Sequence, residues 1–228
     1  MNDPVMRNRI LAIAAAAIVS ACSNNSSTSP TPSPTNTLSF FVSSTTSSTG
    51  NLGGLRGADT LCQNLATAVG AGSKTWRAYL SVERDASNGG RATNARDRIG
   101  TGPWINSKLV LVANNTAELH AMKGNSTLFV DERGNPINGQ WIGSPAPVEH
   151  DIMTGSAPDG TLLPGLTCND WTSDSATLQT QVGHSDGFGA NRDTSGTNAN
   201  WNSAHLNGSC LNTAPRGGAG RIYCFATN

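Results

Sequence analysis

The sequence predicts an α+β domain with one main helix, short strands and long loops. Three observations support this fold class. The chain contains 25 glycines and only 13% charged residues, a composition that favours turns and short strands over a helical bundle. One segment has clear helical periodicity, whereas several others have the short apolar runs of strands. Four cysteines follow position 22, an even number that suits two disulfides in an exported domain.

The first 21 residues have the pattern of a signal peptide. Arg7 and Arg9 precede an apolar run over residues 10–19, and the small residues Ser20 and Ala21 follow it. The run is about half the ~20 residues that a membrane-spanning helix needs, so a permanent transmembrane anchor is the weaker interpretation.

The segment Val19-Ser20-Ala21-Cys22 resembles the lipobox of bacterial lipoproteins, which makes Cys22 the expected lipidation site. The alternative is an ordinary cleaved signal with a free Cys22 thiol. Residues 23–37 are all Ser, Thr, Asn or Pro, and such a segment cannot bury apolar surface. We therefore expect a signal peptide over 1–21, a lipidated cysteine and tether over 22–37, and one domain over 38–228. Serine at position 23 favours the outer membrane of a Gram-negative envelope. We also expect the domain to be exposed at the cell surface.

The clearest secondary structure is a helix in the first third of the domain. Its apolar face is formed by Ala58, Leu61, Cys62, Leu65, Ala66 and Val69. Gly70 and Gly72 predict its end. Strands are predicted over residues 38–42, 76–81, 109–112 and 221–226, and a hairpin turn between 128–130 and 136–137. Few regular elements are expected between that turn and the last strand.

The large aromatic residues and the cysteines indicate where the domain is held together. Trp76, Trp104 and Trp171 are expected in the core. Trp141 and Trp201 lie in Gly- and Asn-rich surroundings, so they are either partly buried loop anchors or groups that stack on a sugar. Cys62, Cys168, Cys210 and Cys224 allow three disulfide pairings, and none of their spacings is the close C-x-x-C spacing of a zinc site.

Charge is balanced overall but unevenly distributed. Lys plus Arg and Asp plus Glu both total 15, so the chain lacks the global basic field of a nucleic-acid-binding protein. Residues 38–110 contain eight Lys/Arg against four Asp/Glu, and residues 111–190 contain two against nine. This distribution predicts either a basic and an acidic face or ordinary solvated surface charge.

Two sets of motifs carry a resemblance to a known family. The first set is Gly54-Leu55-Arg56-Gly57-Ala58-Asp59, Cys62, Ala68-Val69-Gly70 and Trp76-Arg77-Ala78-Tyr79-Leu80-Ser81. The second set is Gly155-Ser156, Asp159-Gly160, Cys168, Trp171, Cys210 and Ile222-Tyr223-Cys224. In this order they resemble endostatin, the C-terminal domain of certain vertebrate collagens, over most of residues 40–225. With the lipoprotein N-terminus, the chain is similar to leptospiral endostatin-like surface lipoproteins.

The resemblance implies a variant of the C-type lectin-like fold, with one main helix packed on a twisted, mostly antiparallel sheet and a long loop region. It also implies disulfides Cys62–Cys224 and Cys168–Cys210. The zinc-binding histidines of endostatin are not carried over, because residues 38–48 contain no histidine. Trp201-Asn202-Ser203 keeps two residues of the lectin calcium motif and lacks its aspartate. We therefore expect no cofactor and assign no metal ligand.

The resemblance supports a binding or adhesion module rather than an enzyme, displayed at the surface through the lipid on Cys22. We expect a monomer. The expected partners are an acidic polysaccharide or an extracellular-matrix-type protein, and not a nucleic acid. The candidate ligand-binding residues are Arg77, Arg84, Arg91, Arg96, Arg98, Lys108, Trp201 and Asn202.

The alternative is an envelope hydrolase that uses His184, Asp186 and His205, with or without a metal. A competing interpretation is that the histidines lie in loops and form hydrogen bonds to the backbone. It applies to His150, His184 and His205 and to the isolated His120.

Overall fold

A long C-terminal strand is the centre of the fold in this computed structural model, which describes residues 37–227. The strands are β1 (Phe40–Val42), β2 (Trp76–Ala78), β3 (Val82–Asp85), β4 (Arg91–Thr93), β5 (Trp104–Ile105), β6 (Leu111–Ala113), β7 (Asp151–Met153), β8 (Gln181–His184), β9 (His205–Leu206) and β10 (Gly218–Ala226). The helices are α1 (Gly54–Ala68), α2 (Thr116–Ala121) and the single turn α3 (Cys168–Trp171). Short 3-10 turns occur at Ala86–Asn88, Ala95–Asp97 and Ala190–Arg192.

Six strands form the main sheet. Five follow the order β1-β10-β7-β8-β9, and β2 also pairs with β10. The β10–β7 pair is parallel, and the other pairs of this sheet are antiparallel. Two small hairpins, β3–β4 and β5–β6, lie outside it. The described part of the chain is therefore a mixed α+β fold, as the composition and periodicity predict.

Successive residues of β10 enter two different cores. Ile222, Cys224 and Ala226 belong to the core covered by α1, whereas Tyr223 and Phe225 belong to an aromatic core on the opposite face. Side chains of a strand alternate between the faces of its sheet, so a strand with both faces buried reads as a continuous apolar run. This explains why the sequence pattern at residues 221–226 predicts a strand correctly.

Two disulfides hold the loops to the sheet. Cys62 of α1 is bonded to Cys224 of β10, and Cys168 is bonded to Cys210. The pairing that the family resemblance implies is thus present in the structure. Gly50 passes so close to the second bridge that an added Cβ would overlap Cys168 Sγ.

Several sequence predictions are confirmed and others need correction. Helix α1 ends with Gly70 in the left-handed region, at φ 80°. Trp76, Trp104 and Trp171 are buried. The predicted hairpin after residue 130 is present only as a single bridge between Val130 and Pro136.

The predicted strand over residues 76–81 stops at Ala78. Beyond it, Tyr79, Leu80 and Ser81 are all buried. The alternation therefore breaks where the chain enters the aromatic core. The elements between residue 137 and β10 are few and short, as expected, but β7, β8 and β9 lie there and none of these three strands is predicted from the sequence.

The signal peptide, Cys22 and nearly all of the tether fall outside the described residues. No helix within residues 37–227 is both long and apolar enough to cross a bilayer.

Candidate functional sites: an arginine cleft and a histidine cluster

A cleft of about 1120 Å³ lies between the first turn of α1 and the β3–β4 hairpin. Its lining includes four arginines, Arg56, Arg77, Arg84 and Arg98, and four aspartates, Asp59, Asp85, Asp97 and Asp170. We call it the arginine cleft. Arg77, Arg84 and Arg98 are among the ligand contacts predicted from the sequence, whereas Arg56 is not.

Three of the four acidic groups of the arginine cleft are buried or largely buried, and these three are already bonded. Asp59 accepts hydrogen bonds from both Arg98 and Arg77 and from the Ala78 backbone. Asp85 accepts from Ser87, and Asp170 accepts from the Glu83 backbone at 2.6 Å.

Hydrogen bonds from Ser87 hold the pKa of Asp85 below its ordinary value, although burial alone would raise that pKa. These three carboxylates are therefore held by donors of the protein itself.

The arginines differ in how far they are committed to ion pairs. Arg98 is nearly buried against Asp59, whereas the side chains of Arg77 and Arg84 are 46% and 70% exposed. Arg56 is exposed too. Asp97 is the exposed acid, and it lies 3.7 Å from Arg96. Positive charge therefore dominates the accessible part of the cleft.

The other predicted basic residues do not line the arginine cleft. Arg91 is exposed on β4 and bonds to Asn88. Arg96 lines a separate depression of about 660 Å³, where it pairs with Asp159. Lys108 lies near Gly134. The predicted basic segment is thus divided among different places on the surface.

Trp201 and Asn202 are not ligand-binding residues at the surface, and the prediction that they are is wrong. Both side chains are fully buried. The Trp201 indole packs on Tyr79 and Tyr223 and donates to the Leu119 carbonyl, while Asn202 donates to the Tyr79 hydroxyl. Burial of a large aromatic side chain stabilises a protein more than its exposure on the surface does. Trp201 is therefore buried in the aromatic core although its sequence neighbours are polar.

Three neighbouring strands bring three histidines together. On β7 and β8, Asp151 lies directly opposite His184, and on β9 His205 lies opposite Val182, two residues from His184. Opposite residues point to the same face of a sheet, as do residues two apart on one strand. His150, immediately before β7, stacks on His184 with ring centroids 4.5 Å apart.

We call His150, Asp151, His184, Asp186 and His205 the histidine cluster. The Nε2 atoms of His150 and His184 each lie 3.3 Å from Asp151 Oδ1, and His205 Nε2 lies 3.4 Å from Asp151 Oδ2. Asp186 lies behind His150 and accepts from its Nδ1 at 2.7 Å. The ligand atoms of His150, Asp151 and His184 are all within 4.8 Å of one another, a grouping that could hold a metal ion.

The cluster is largely closed to solvent. The side chains of His150, Asp151 and His184 are 4%, 1% and 2% exposed, whereas that of His205 is 31% exposed. Burial alone would raise the pKa of the Asp151 carboxyl, but the facing imidazoles outweigh burial and lower it. Contact with Asp151 in turn raises the pKa of His205.

The structure adds His150 and Asp151 to a group of residues that the sequence already suggests. His184, Asp186 and His205 do share one place, but Asp151, which contacts all three imidazoles, is absent from the predicted site. The His150-Asp151 pair, a base beside a carboxylate, is visible in the sequence, but nothing local to it indicates that β7 places Asp151 against His184 and His205. His120 lies elsewhere, where its Nε2 is 2.7 Å from the Tyr79 hydroxyl.

Most of this domain matches a known protein family. No curated protein matches the chain. A family described as proteins of unknown function, DUF1554, matches residues 45–188. The match includes the arginine cleft and four members of the histidine cluster and stops before His205. Since it covers more than half of the sequence, the chain belongs to the DUF1554 family of proteins of unknown function.

Proposed function

We propose that this protein is a lipid-anchored binding module of the bacterial cell envelope, and that its arginine cleft binds an acidic polysaccharide. The exposed Arg56, Arg77 and Arg84 around one cleft carry this proposal, because the carboxylates beside them are mostly buried and bonded. Guanidinium groups suit sulfate and carboxylate groups, with which they form paired hydrogen bonds.

The first turn of α1 adds to the same surface. It contains no acidic residue, and Gly53 caps it without a side-chain hydrogen bond. Gly53, Gly54 and Leu55 line the cleft. The N–H groups at a helix N-terminus favour anions, so the backbone here supports the arginines.

The cellular setting rests on the N-terminal sequence and the disulfides. Residues 1–22 carry the signal peptide and lipobox pattern. Two disulfides suit an oxidising compartment. We propose that Cys22 carries the lipid, that the domain is a monomer displayed from the outer membrane, and that its fold is an endostatin-like variant of the C-type lectin-like fold.

The test is retention of the full chain, purified in detergent, on a heparin resin. We expect retention at low salt and elution as salt rises, because exposed charges more than about 8 Å apart are screened at physiological ionic strength. The double variant Arg56→Gln/Arg84→Gln should elute at clearly lower salt than the wild type.

A matched control removes the same charge elsewhere. Lys123 and Arg192 are exposed and outside the arginine cleft, so Lys123→Gln/Arg192→Gln should elute close to the wild type. Equal shifts for the two double variants would mean that only net charge matters and would contradict a site in the cleft. Flow-through of the wild type at low salt would remove polyanions as ligands.

An envelope hydrolase is the second candidate, favoured by the convergence of His184, Asp186 and His205. His205 is the most exposed of the described cluster residues, so a substrate would reach the cluster there. Turnover of ester or phosphate substrates that is lost in His205→Ala but kept in His120→Gln would support this candidate. Equal background rates in the wild type and His205→Ala would exclude the tested substrate classes.

A further inference from the structure

The histidine cluster presents three ring nitrogens to one carboxylate. His150, His184 and His205 all turn Nε2 toward Asp151. Their Nδ1 atoms point away to other acceptors: Asp186 Oδ1 at 2.7 Å, the Asn198 carbonyl at 2.7 Å and the Leu206 carbonyl at 2.9 Å. Since a carboxylate or carbonyl accepts, each Nδ1 is the protonated nitrogen, and in the neutral ring each Nε2 has a free lone pair.

This outer arrangement is the one that metal-binding histidines usually have. A histidine ligand generally donates its second ring N–H to a carboxylate or a backbone carbonyl, which fixes the ring orientation and tautomer. Here all three rings are held in that way. Asp186 is in turn fixed by the backbone N–H groups of Gln140 and Phe188.

The Asp151 carboxylate provides an independent observation. It is almost wholly buried, and neither of its oxygens has a hydrogen-bond partner among the described residues. A buried unpaired carboxylate is expensive. Its 3.3 and 3.4 Å contacts are longer than the roughly 2.7–2.9 Å of a charge-assisted N–H···O bond. The two 3.3 Å contacts, from His150 and His184 to Oδ1, match the spacing of about 3.3 Å between ligand atoms that surround a tetrahedral Zn²⁺ at roughly 2.0–2.1 Å. His205 faces the other carboxylate oxygen, Oδ2, and lies outside the group of ligand atoms that are all within 4.8 Å of one another.

Charge balance points the same way. Asp151 and Asp186 are both buried, and within residues 37–227 neither forms an ion pair with Lys or Arg. When the three imidazoles are neutral, which is the state in which histidine binds a metal, two negative charges are left at this place. One divalent cation would neutralise both.

From this geometry we propose that His150, Asp151 and His184 form a structural zinc site, which His205 closes as the fourth ligand when the metal is bound. Three imidazole nitrogens and one carboxylate oxygen suit Zn²⁺, which is held by four such ligands in closed structural sites. Calcium prefers six to eight oxygen ligands, which this cluster does not offer. The site is separate from the arginine cleft and does not depend on the proposed polysaccharide binding.

The site would join three chain segments at the far side of the sheet from β1. His205 lies on β9, a strand of two residues at the sheet edge with only two registered pairs to β8. A metal bound by His205 together with the ligands on β7 and β8 would fix this edge of the sheet. A metal that binds only the native state also stabilises that state by mass action.

The experiment is metal analysis of the full chain purified in detergent, stripped with a zinc chelator and reloaded with ZnCl₂ or CoCl₂. We expect one Zn²⁺ per chain, a Co²⁺ complex with the intense visible bands of tetrahedral coordination, and a melting temperature that rises on reloading. His205→Ala should lose the stoichiometric metal and the melting response. It is the ligand variant least liable to misfold, because His205 is the most exposed of the four.

Two outcomes would overturn the proposal. One is a folded wild type that retains no stoichiometric Zn²⁺ or Co²⁺ when the metal is in excess, which would leave a proton-bound cluster. The other is a His205→Ala variant that binds the same equivalent with the same Co²⁺ spectrum, which would place the metal elsewhere. His120→Gln is the matched control, because His120 is the one histidine of the chain outside the cluster and should leave metal content unchanged.

Discussion

Asp151 and His184 lie directly opposite each other on β7 and β8, and the carboxylate of the first is 3.3 Å from the imidazole of the second. The pairing register of two antiparallel strands sets this contact. A shift by one residue would turn one of the two side chains to the other face. The histidine cluster therefore depends on strand pairing that no local sequence motif encodes.

Gly183, next to His184 on β8, is the first test of that dependence. An added Cβ there would fall well inside van der Waals contact with the Trp201 carbonyl oxygen. We expect Gly183→Ala to lower the free energy of unfolding by at least about 3 kcal/mol, the upper end of ordinary overpacking costs. Urea denaturation measures this effect.

Gly143→Ala is its control. Gly143 has φ 85° but no atom within 4 Å of its added Cβ, so only backbone strain of about 1 kcal/mol is expected. Equal effects of the two substitutions would show that β8 can shift to accept a side chain.

Asp186→Asn tests the outer partner of the proposed zinc site. Asp186 does not face the other ligands but holds the His150 ring through Nδ1. We expect metal affinity to fall by about 10- to 100-fold, as is usual when such a partner is lost. Titration with Co²⁺ in competition with a chelator measures it. Asp174→Asn, an exposed carboxylate in the same half of the chain, should leave the affinity as it is in the wild type.

The two disulfides should differ in their contribution to stability. The closed loops span sequence separations of 162 and 42 residues, and the chain-entropy model assigns them about 5 and about 4 kcal/mol. Cys62→Ser/Cys224→Ser should therefore destabilise the protein more than Cys168→Ser/Cys210→Ser. Denaturation under identical metal conditions compares them, and the reverse order would show that local packing outweighs loop length.

We expect the contribution of His120 to the free energy of unfolding to decrease as the pH is lowered. Burial and the nearby Arg96 lower its pKa, and they outweigh the Thr116 carbonyl and Asp159, which raise it. The native state thus binds this proton less readily than the unfolded chain does. The contribution of His120 is fully present above its ordinary pKa of about 6.5 and declines as the pH falls from there toward the lower native pKa.

The measurement is the free energy of unfolding of the wild type and of His120→Gln between about pH 7.5 and pH 5. The difference between the two proteins isolates His120 from the other histidines. We expect the advantage of the wild type to shrink as the pH falls. An advantage that grows on acidification would contradict the proposed neutral His120 bonded to Tyr79.

Local sequence patterns predict those helices and strands whose apolar residues recur with helical or strand periodicity. The apolar face of α1 is visible in the spacing of Ala58, Cys62, Leu65 and Ala66, and all four are buried. β7 and β8 are short, and their polar members Asp151, Gln181 and His184 are buried. A pattern that equates polar with exposed misses such strands, and Trp201 is misplaced for the same reason, since its polar neighbours Asn200 and Asn202 suggest a surface loop.

The sequence by itself determined the mixed α+β composition, the main helix, the last strand and the set of cysteines available for pairing. These features depend on periodicity and composition over a few neighbouring residues. Only the tertiary structure decided that Asp151 faces three histidines and that Arg77 and Arg84 share a cleft with the start of α1. Asp151 and His205 are 54 positions apart, and Gly54 and Arg84, which line the same cleft, are 30 positions apart. Strand register and burial bring such residues together, and both are properties of the whole folded chain.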